Sequence, residues 1–282
     1  MGRRVACIES EGPGHGERIA SELARRGVET LVVLGGDGTI NEAVNGLYQR
    51  PELGSRVRFA ALPGGSLNVF CASHPLPSAW SQAWEWIESA PARSVDLGEL
   101  QLMNRAEPSL RYFAQLGGGG LDGRALACVS PTLKRRFRSI AYAWAGVVAL
   151  VKSRAKRPVS IGSHRWRAMV ALVGLGQYYS RGLPLFAGAD DSDGSLEYAV
   201  FPNVHLGTLA RLPRAFFSRD PARVLGAVRG RVSGSDGIEV GSREEPAELE
   251  IDGEYLGLDY GRFVRSAWRL NVVDLHGVEA RG

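Results

Sequence analysis

Cysteine is scarce in this sequence. Cys7, Cys71 and Cys128 are the only three in 282 residues, and no CxxC pair or histidine stands at metal-ligand spacing. That excludes a disulfide framework and a zinc site and fits a reducing compartment. Long apolar runs are missing too. The longest, residues 140–151, is about a dozen residues, whereas a membrane-spanning helix needs about 20. The amino terminus, MGRRVACIESEGPGHG, has two arginines with no continuous apolar stretch behind them, so no secretion signal is read there. Nor is there a large excess of one charge: 34 Lys and Arg stand against 30 Asp and Glu, net +4, which by itself argues for no nucleic-acid partner. The expectation is a cytoplasmic protein.

What is present is the composition of a globular enzyme, 44% hydrophobic and 23% charged, on a chain long enough for two compact units. Residues 17–26 place Ile19, Ala20, Leu23 and Ala24 on one helical face, with Gly27 as a stop. The apolar run 31–34, the string GGDGT and the helical spacing of Ile40, Val44 and Leu47 read as strand, glycine loop, helix. Residues 57–62, a Pro63-Gly64-Gly65 turn and a helix from Ser66 that ends before Pro75 repeat the pattern. Two such units in succession predict a parallel sheet. Beyond residue 93 short alternating segments separated by glycine turns predict a strand-rich half, with helices at 139–153 and 205–217. The predicted domains are 1–93 and 94–270, with 271–282 packing back on the first.

Gly35, Gly36, Asp37, Gly38 and Thr39 sit where a strand hands over to a helix, so main-chain N–H groups and the helix dipole converge where phosphate oxygens could lie. Asp37 offers a carboxylate to Mg2+. An ordinary glycine turn is the alternative. Around residues 140–151, Lys134, Arg135, Arg136, Arg138, Lys152, Arg154, Lys156 and Arg157 form either a solvated helical face or a surface for anionic headgroups.

The string GGDGTINEAVNGL resembles the nucleotide-binding signature of the diacylglycerol kinase catalytic domain, shared with sphingosine and ceramide kinases. GGDGT occurs in NAD kinases and phosphofructokinases as well; Asn41-Glu42 and Asn45-Gly46 follow the lipid-kinase pattern. LPGGSLNVF, with Gly65, Ser66 and Asn68, resembles that family's second loop. SEGPGH resembles its Thr-x-x-x-Gly-His segment, with Ser10 in the place of a nucleotide-contacting threonine, and His15 is either a helix-start residue or part of the site. The resemblance implies an α/β Rossmann-like amino-terminal domain, phosphofructokinase- and NAD kinase-like, followed by a β-sandwich-like domain. It further implies ATP bound through Ser10, Gly35, Gly36, Asp37, Gly38, Thr39, Glu42, Gly65, Ser66 and Asn68, with Mg2+ as cofactor.

Ile251-Asp252-Gly253-Glu254 resembles the family's Asp-Gly-Glu. Asp252 is then the general base for a lipid hydroxyl, and Glu254 orients the site or its metal. Residues 190–195 resemble an Asp-Gly-x-Leu segment that in some bacterial members holds a structural Mg2+, here through Asp190, Asp193 and Ser195, although an acidic hairpin turn looks the same. GGGGLD resembles the family's Gly-x-Gly-x-Asp and makes Asp122 line the site. The family strand with an Asn-Pro-x-x-Gly signature is absent, so the sequence predicts either a start farther upstream or an impaired form; Ala72 and Leu175 also depart from the pattern. The implied partners are a lipid substrate and the inner membrane surface, met peripherally, with a homodimer left open. An NAD kinase-like activity on a soluble nucleotide and a non-catalytic membrane-associated remnant are the alternatives.

Overall fold

The computed structural model describes residues 5–105, 109–128, 155–180, 182–233 and 236–276. The helix expected at 139–153 and most of the basic segment around it lie outside these residues. Helix α1 (His15–Arg25) ends as the sequence predicts: Gly27 takes the left-handed conformation at φ 71°, and Val28 N–H reaches back to the Leu23 carbonyl. Strand β1 (Thr30–Gly35) runs into helix α2 (Asp37–Leu47), which begins inside the glycine string. A short helix α3 (Pro51–Gly54) leads to strand β2 (Arg58–Pro63), which pairs with β1 in parallel as expected.

The helix expected from Ser66 starts only at Val69. Asn68 adopts the left-handed conformation at φ 50°, and its side-chain amide closes on both the N–H and the carbonyl of Gly65, so residues 66–68 are loop and α4 (Val69–Ser73) follows. Helix α5 (Trp80–Ser89) then precedes a long ribbon of β3 (Arg93–Leu102) with β14 (Gly261–Val272), antiparallel and interrupted between Arg265 and Arg269. The end of β14 also pairs in parallel with β2, so the last described strand completes the parallel sheet. Helices α1 and α2 cover that sheet, burying Ala20, Ile40, Val44 and Leu47 against Phe59, Ala61, Leu270 and Val272. They cross at Gly46, where any side chain would strike the Glu17 carbonyl.

The first half of the ribbon extends the same sheet through β4 (Ser109–Phe113), β6 (Arg157–Ile161), β7 (His164–Ala168) and β11 (Ile238–Val240). Facing it is a six-stranded antiparallel sheet in the order β10 (Val228–Ser233), β9 (Ser195–Phe201), β8 (Val170–Gly174), β5 (Leu116–Gly120), β12 (Ala247–Ile251) and β13 (Glu254–Asp259). Leu100, Phe113, Val159 and Phe263 of one layer and Val173, Leu196, Leu249 and Ile251 of the other form one apolar cluster, as in a sandwich. Helix α6 (Leu121–Cys128) follows β5. The helix expected at 205–217 is two short ones, α7 (Leu206–Ala210) and α8 (Leu212–Phe216), because Pro213 stands at the start of a helix and has no N–H to continue one; α9 (Pro221–Leu225) follows.

Candidate active site

The two glycine loops lie against each other at the carboxyl ends of β1 and β2. Gly64 N–H donates to the Gly35 carbonyl at 2.8 Å, and a Cβ on Gly36 would stand 3.0 Å from the Gly65 Cα. Most of these glycines are therefore spent on packing: Gly35 makes room for the Thr39 side chain, and Gly64 and Gly65 for the first loop. Gly38 alone of the string faces open space, in the first turn of α2, where main-chain N–H groups lack helical acceptors. Asp37 is the first residue of α2, and its carboxylate accepts from Phe70 N–H at 3.1 Å, tying α2 to α4. Burial pushes this carboxyl above its usual range, opposed by the main-chain N–H groups of Phe70, Val69 and Asn68.

The Asp252-Gly253 pair forms a two-residue hairpin turn between β12 and β13, with φ 46° and 78°, the conformation that Asp-Gly favours. The turn residue's carboxylate accepts four hydrogen bonds. Its Oδ1 accepts from Gln115 N–H and Leu116 N–H, both at 3.0 Å; its Oδ2 accepts from Ala114 N–H at 2.8 Å and Asn41 Nδ2 at 2.9 Å. Burial raises its proton affinity and these donors lower it. Asn41 and Asn45 lie on the buried face of α2 and both donate to the Tyr112 carbonyl, while Tyr112 N–H returns a bond to Asn45. The helix of the first glycine loop is thus bolted to the Asp-Gly-Glu turn. Two buried asparagines spaced four apart on an otherwise apolar face were the signal available in the sequence for this role.

Next to the turn, Glu254 is half-buried with its Oε2 buried and unpartnered. Its carboxyl is pushed up by burial, with Arg111 opposing and the charges of Glu42, Glu17 and Asp252 adding. Arg111 itself donates to Glu17 at 2.8 Å. Glu42 caps α1 from outside, accepting from Gly14 N–H at 2.8 Å and Gly16 N–H at 2.9 Å. Ser10 lies on the exposed segment before α1 with its hydroxyl toward the Gly12 carbonyl at 3.3 Å, and His15 Nδ1 accepts from Glu11 N–H. Asn68 is occupied by the Gly65 turn, and Ser66 lies beside it, half-buried.

Glu250, beside the expected site residue Asp122, and a polar chain around His74 escape sequence reasoning. Glu250 is 1% exposed on β12; one oxygen accepts from Gly253 N–H at 3.2 Å and the other has no partner. Burial, with Asp122 and Asp252 adding, pushes its carboxyl well above the usual range. Asp122, at the start of α6, accepts from Tyr179 OH at 2.6 Å and is likewise pushed up by burial. A carboxyl whose folded-state pKa is raised is retained at the expense of stability once the unfolded chain ionises. The protein should therefore lose stability as pH rises above about 4.5, over the interval up to the folded-state pKa, at up to about 1.4 kcal/mol per pH unit. Glu250→Gln should flatten that slope in urea unfolding followed against pH while leaving the low-pH stability near the parent's; an unchanged slope would show that Glu250 is ionised in the fold.

The second group is a polar chain from His74 to Asp191. His74, 2% exposed, faces Asp274 at 3.0 Å and Gln115 at 3.1 Å, and Arg93 donates to Asp274 at 2.8 Å and to both oxygens of Asp191 at 2.6 and 3.0 Å. This chain docks the 190–195 turn. There Asp190 accepts from the amide and hydroxyl of Ser192, Asp193 accepts from Ser195 N–H at 3.0 Å and pairs with Arg231 at 3.0 Å, and Gly194 N–H donates to buried Asp96 at 2.7 Å. Each of the turn's three carboxylates is engaged by protein donors. Among the described residues, no three His, Cys, Asp or Glu side chains gather as a metal cage.

A parallel sheet with paired glycine loops is thus joined to a sandwich that brings in an acidic turn. Residues 1–100 match the diacylglycerol kinase catalytic domain, the family whose motifs the sequence resembles. Similar curated proteins carry the name "Probable lipid kinase YegS-like". One from Stenotrophomonas maltophilia is 28% identical over 250 residues, spanning 86% of this chain and 77% of the relative. One from Pseudomonas fluorescens is 25% identical, spanning 98% and 85%. A crystal structure of a diacylglycerol kinase from Bacillus anthracis superposes with a TM-score of 0.68 at 22% identity, covering 96% of this chain and 86% of that one.

Proposed function

We propose that this protein transfers the γ-phosphoryl group of ATP to the hydroxyl of a lipid, with diacylglycerol the first candidate. The observation that carries the reading is the Asn41–Asp252 bond, which makes the glycine loop and the acidic turn one assembly although they lie 211 residues apart. The donor set suits a Mg2+-bound triphosphate. Gly38 opens onto free space beside the amides of α2, Asp37 stands at the same helix start, and Mg2+ commonly takes one or two protein carboxylates and fills the rest of its shell with phosphate oxygens and water. Bound there, the ion would neutralise charge on the phosphates. The protein's own contribution is to align the triphosphate against α2 and to receive the hydroxyl proton.

For that proton Glu254 is better placed than Asp252. A carboxylate offers about four acceptor positions, and all four on Asp252 are filled, three of them by main-chain N–H groups. Glu254 has a buried oxygen free and a raised proton affinity, which are the properties of a general base. Asp252 then anchors the turn that holds Glu254.

An assay with radiolabelled ATP, lipid extract and NAD tests the reading. Label should enter the lipid phase, and Asp37→Asn should lower turnover about 100-fold or more, since it removes the charge at the phosphate end. Label on NAD, or on neither, would overturn it.

A further inference from the structure

Helices α7, α8 and α9 lie between β9 and β10. Helix α8 is held on the sandwich by Leu212 and by Ala215, which is fully buried with Ala222 and Leu225. Its outward side carries Arg211, Arg214 and, just beyond its end, Phe217, the most exposed large hydrophobic side chain described at 93%. Leu206 at 65% and Phe216 at 43% stand out on the same pair of helices. Residues 205–231 contain six arginines against a single acid, Asp220. Arg229 pairs with Asp220, and Arg231 with Asp193 and Glu197, whereas exposed Arg211, Arg214, Arg219 and Arg223 make no ion pair among the described residues.

We infer that α7 and α8 are a docking surface for anionic phospholipid, with Phe217 and Phe216 entering the interface and Arg211, Arg214 and Arg219 meeting the headgroups. The inference rests on the lipid-kinase reading for its occupant. Exposed aromatics beside unpaired arginines match a surface that is apolar below and anionic at its rim. A nucleic acid would use the arginines but would leave exposed apolar side chains such as Leu206 without a partner. The patch also connects to the site. Leu121 N–H bonds to the Met169 carbonyl and Met169 N–H to the Phe201 carbonyl, so β9 leaves the second sheet at the end where α6 and Asp122 begin. The loop that gives Tyr179 to Asp122 passes Phe216 at Gly182, where a Cβ would lie 3.8 Å from the Phe216 ring.

The test is co-sedimentation of the full chain with vesicles of phosphatidylcholine alone and of phosphatidylcholine mixed with phosphatidylglycerol. Parent protein should prefer the mixed vesicles, and salt should weaken the binding. Arg211→Gln with Arg214→Gln should reduce that binding on the order of 10- to 30-fold, and Phe217→Ser about 10-fold or more through lost apolar burial. These side chains are exposed, so thermal midpoints should match the parent's, and turnover on detergent-dispersed lipid should be unchanged. Vesicle binding that is indifferent to all three changes, or arginine-dependent binding to RNA with none to vesicles, would overturn the docking surface. Docking without phosphorylation of any dispersed lipid would instead leave the surface standing and remove the kinase reading.

Discussion

Glu254→Gln should lower kcat by about 100- to 10,000-fold, the usual worth of a positioned general base. ATP affinity should stay within a few-fold, because Glu254 is reached from β13 and the nucleotide from the two glycine loops. Stability should be at least that of the parent: the carboxyl is half-buried with one oxygen unbonded, so its ionised form is the poorly accommodated one. The pH profile sharpens the test. A base works deprotonated, and burial raises this group's pKa, so parent turnover should climb with pH through a limb above the ordinary glutamate range; the residual activity of Glu254→Gln should lack that limb. Single-turnover phosphorylation measured against pH, with nucleotide binding measured alongside, reads both effects. A variant as fast as the parent would exclude Glu254 as the proton acceptor.

The parts of the fold that could be read from sequence are those whose cause is local. The run 31–34 gave β1 within a residue, and the periodic Ile40, Val44 and Leu47 gave the body of α2, which starts three residues earlier inside the glycine string; α1 stops at Gly27, with Val28 N–H bonded to the Leu23 carbonyl five residues back. Local reasoning failed where a side chain redirected the backbone. Asn68 closing on Gly65 delayed α4, and Pro213 divided the helix expected after residue 205. It failed more broadly where partners are far apart in the chain. Nothing near Asp252 indicates that residues 114–116 and Asn41 will saturate its carboxylate, or that Asp274, Arg93 and Asp191 will surround His74. Asp-Gly-Glu could be recognised as a motif, therefore, while the division of labour between its two acids depended on contacts that only the folded chain contains.

That division is what Asp252→Asn tests, and the prediction is a loss of fold stability ahead of any specific loss of chemistry. Both oxygens of Asp252 serve as acceptors only, Oδ1 for the amides of Gln115 and Leu116, Oδ2 for the amide of Ala114 and the Asn41 side chain. Whichever way an asparagine amide is turned, its NH2 meets two donors. Reorienting Asn41 could relieve one conflict on the Oδ2 side, but Asn41 Nδ2 also serves the Tyr112 carbonyl and its Oδ1 accepts from Asn45, so the rescue breaks bonds elsewhere. Backbone strain is not the cause, since asparagine tolerates the left-handed conformation at φ 46° as well as aspartate does. At about 1–3 kcal/mol for each buried donor left without an acceptor, two donors cost about 2–6 kcal/mol. For a chain of this size that lowers the thermal midpoint by roughly 5–15 °C. Calorimetry on parent and variant measures it directly. A midpoint equal to the parent's, with phosphoryl transfer abolished and ATP still bound, would mean that the four donors do not need the charge, and would return the role of base to Asp252.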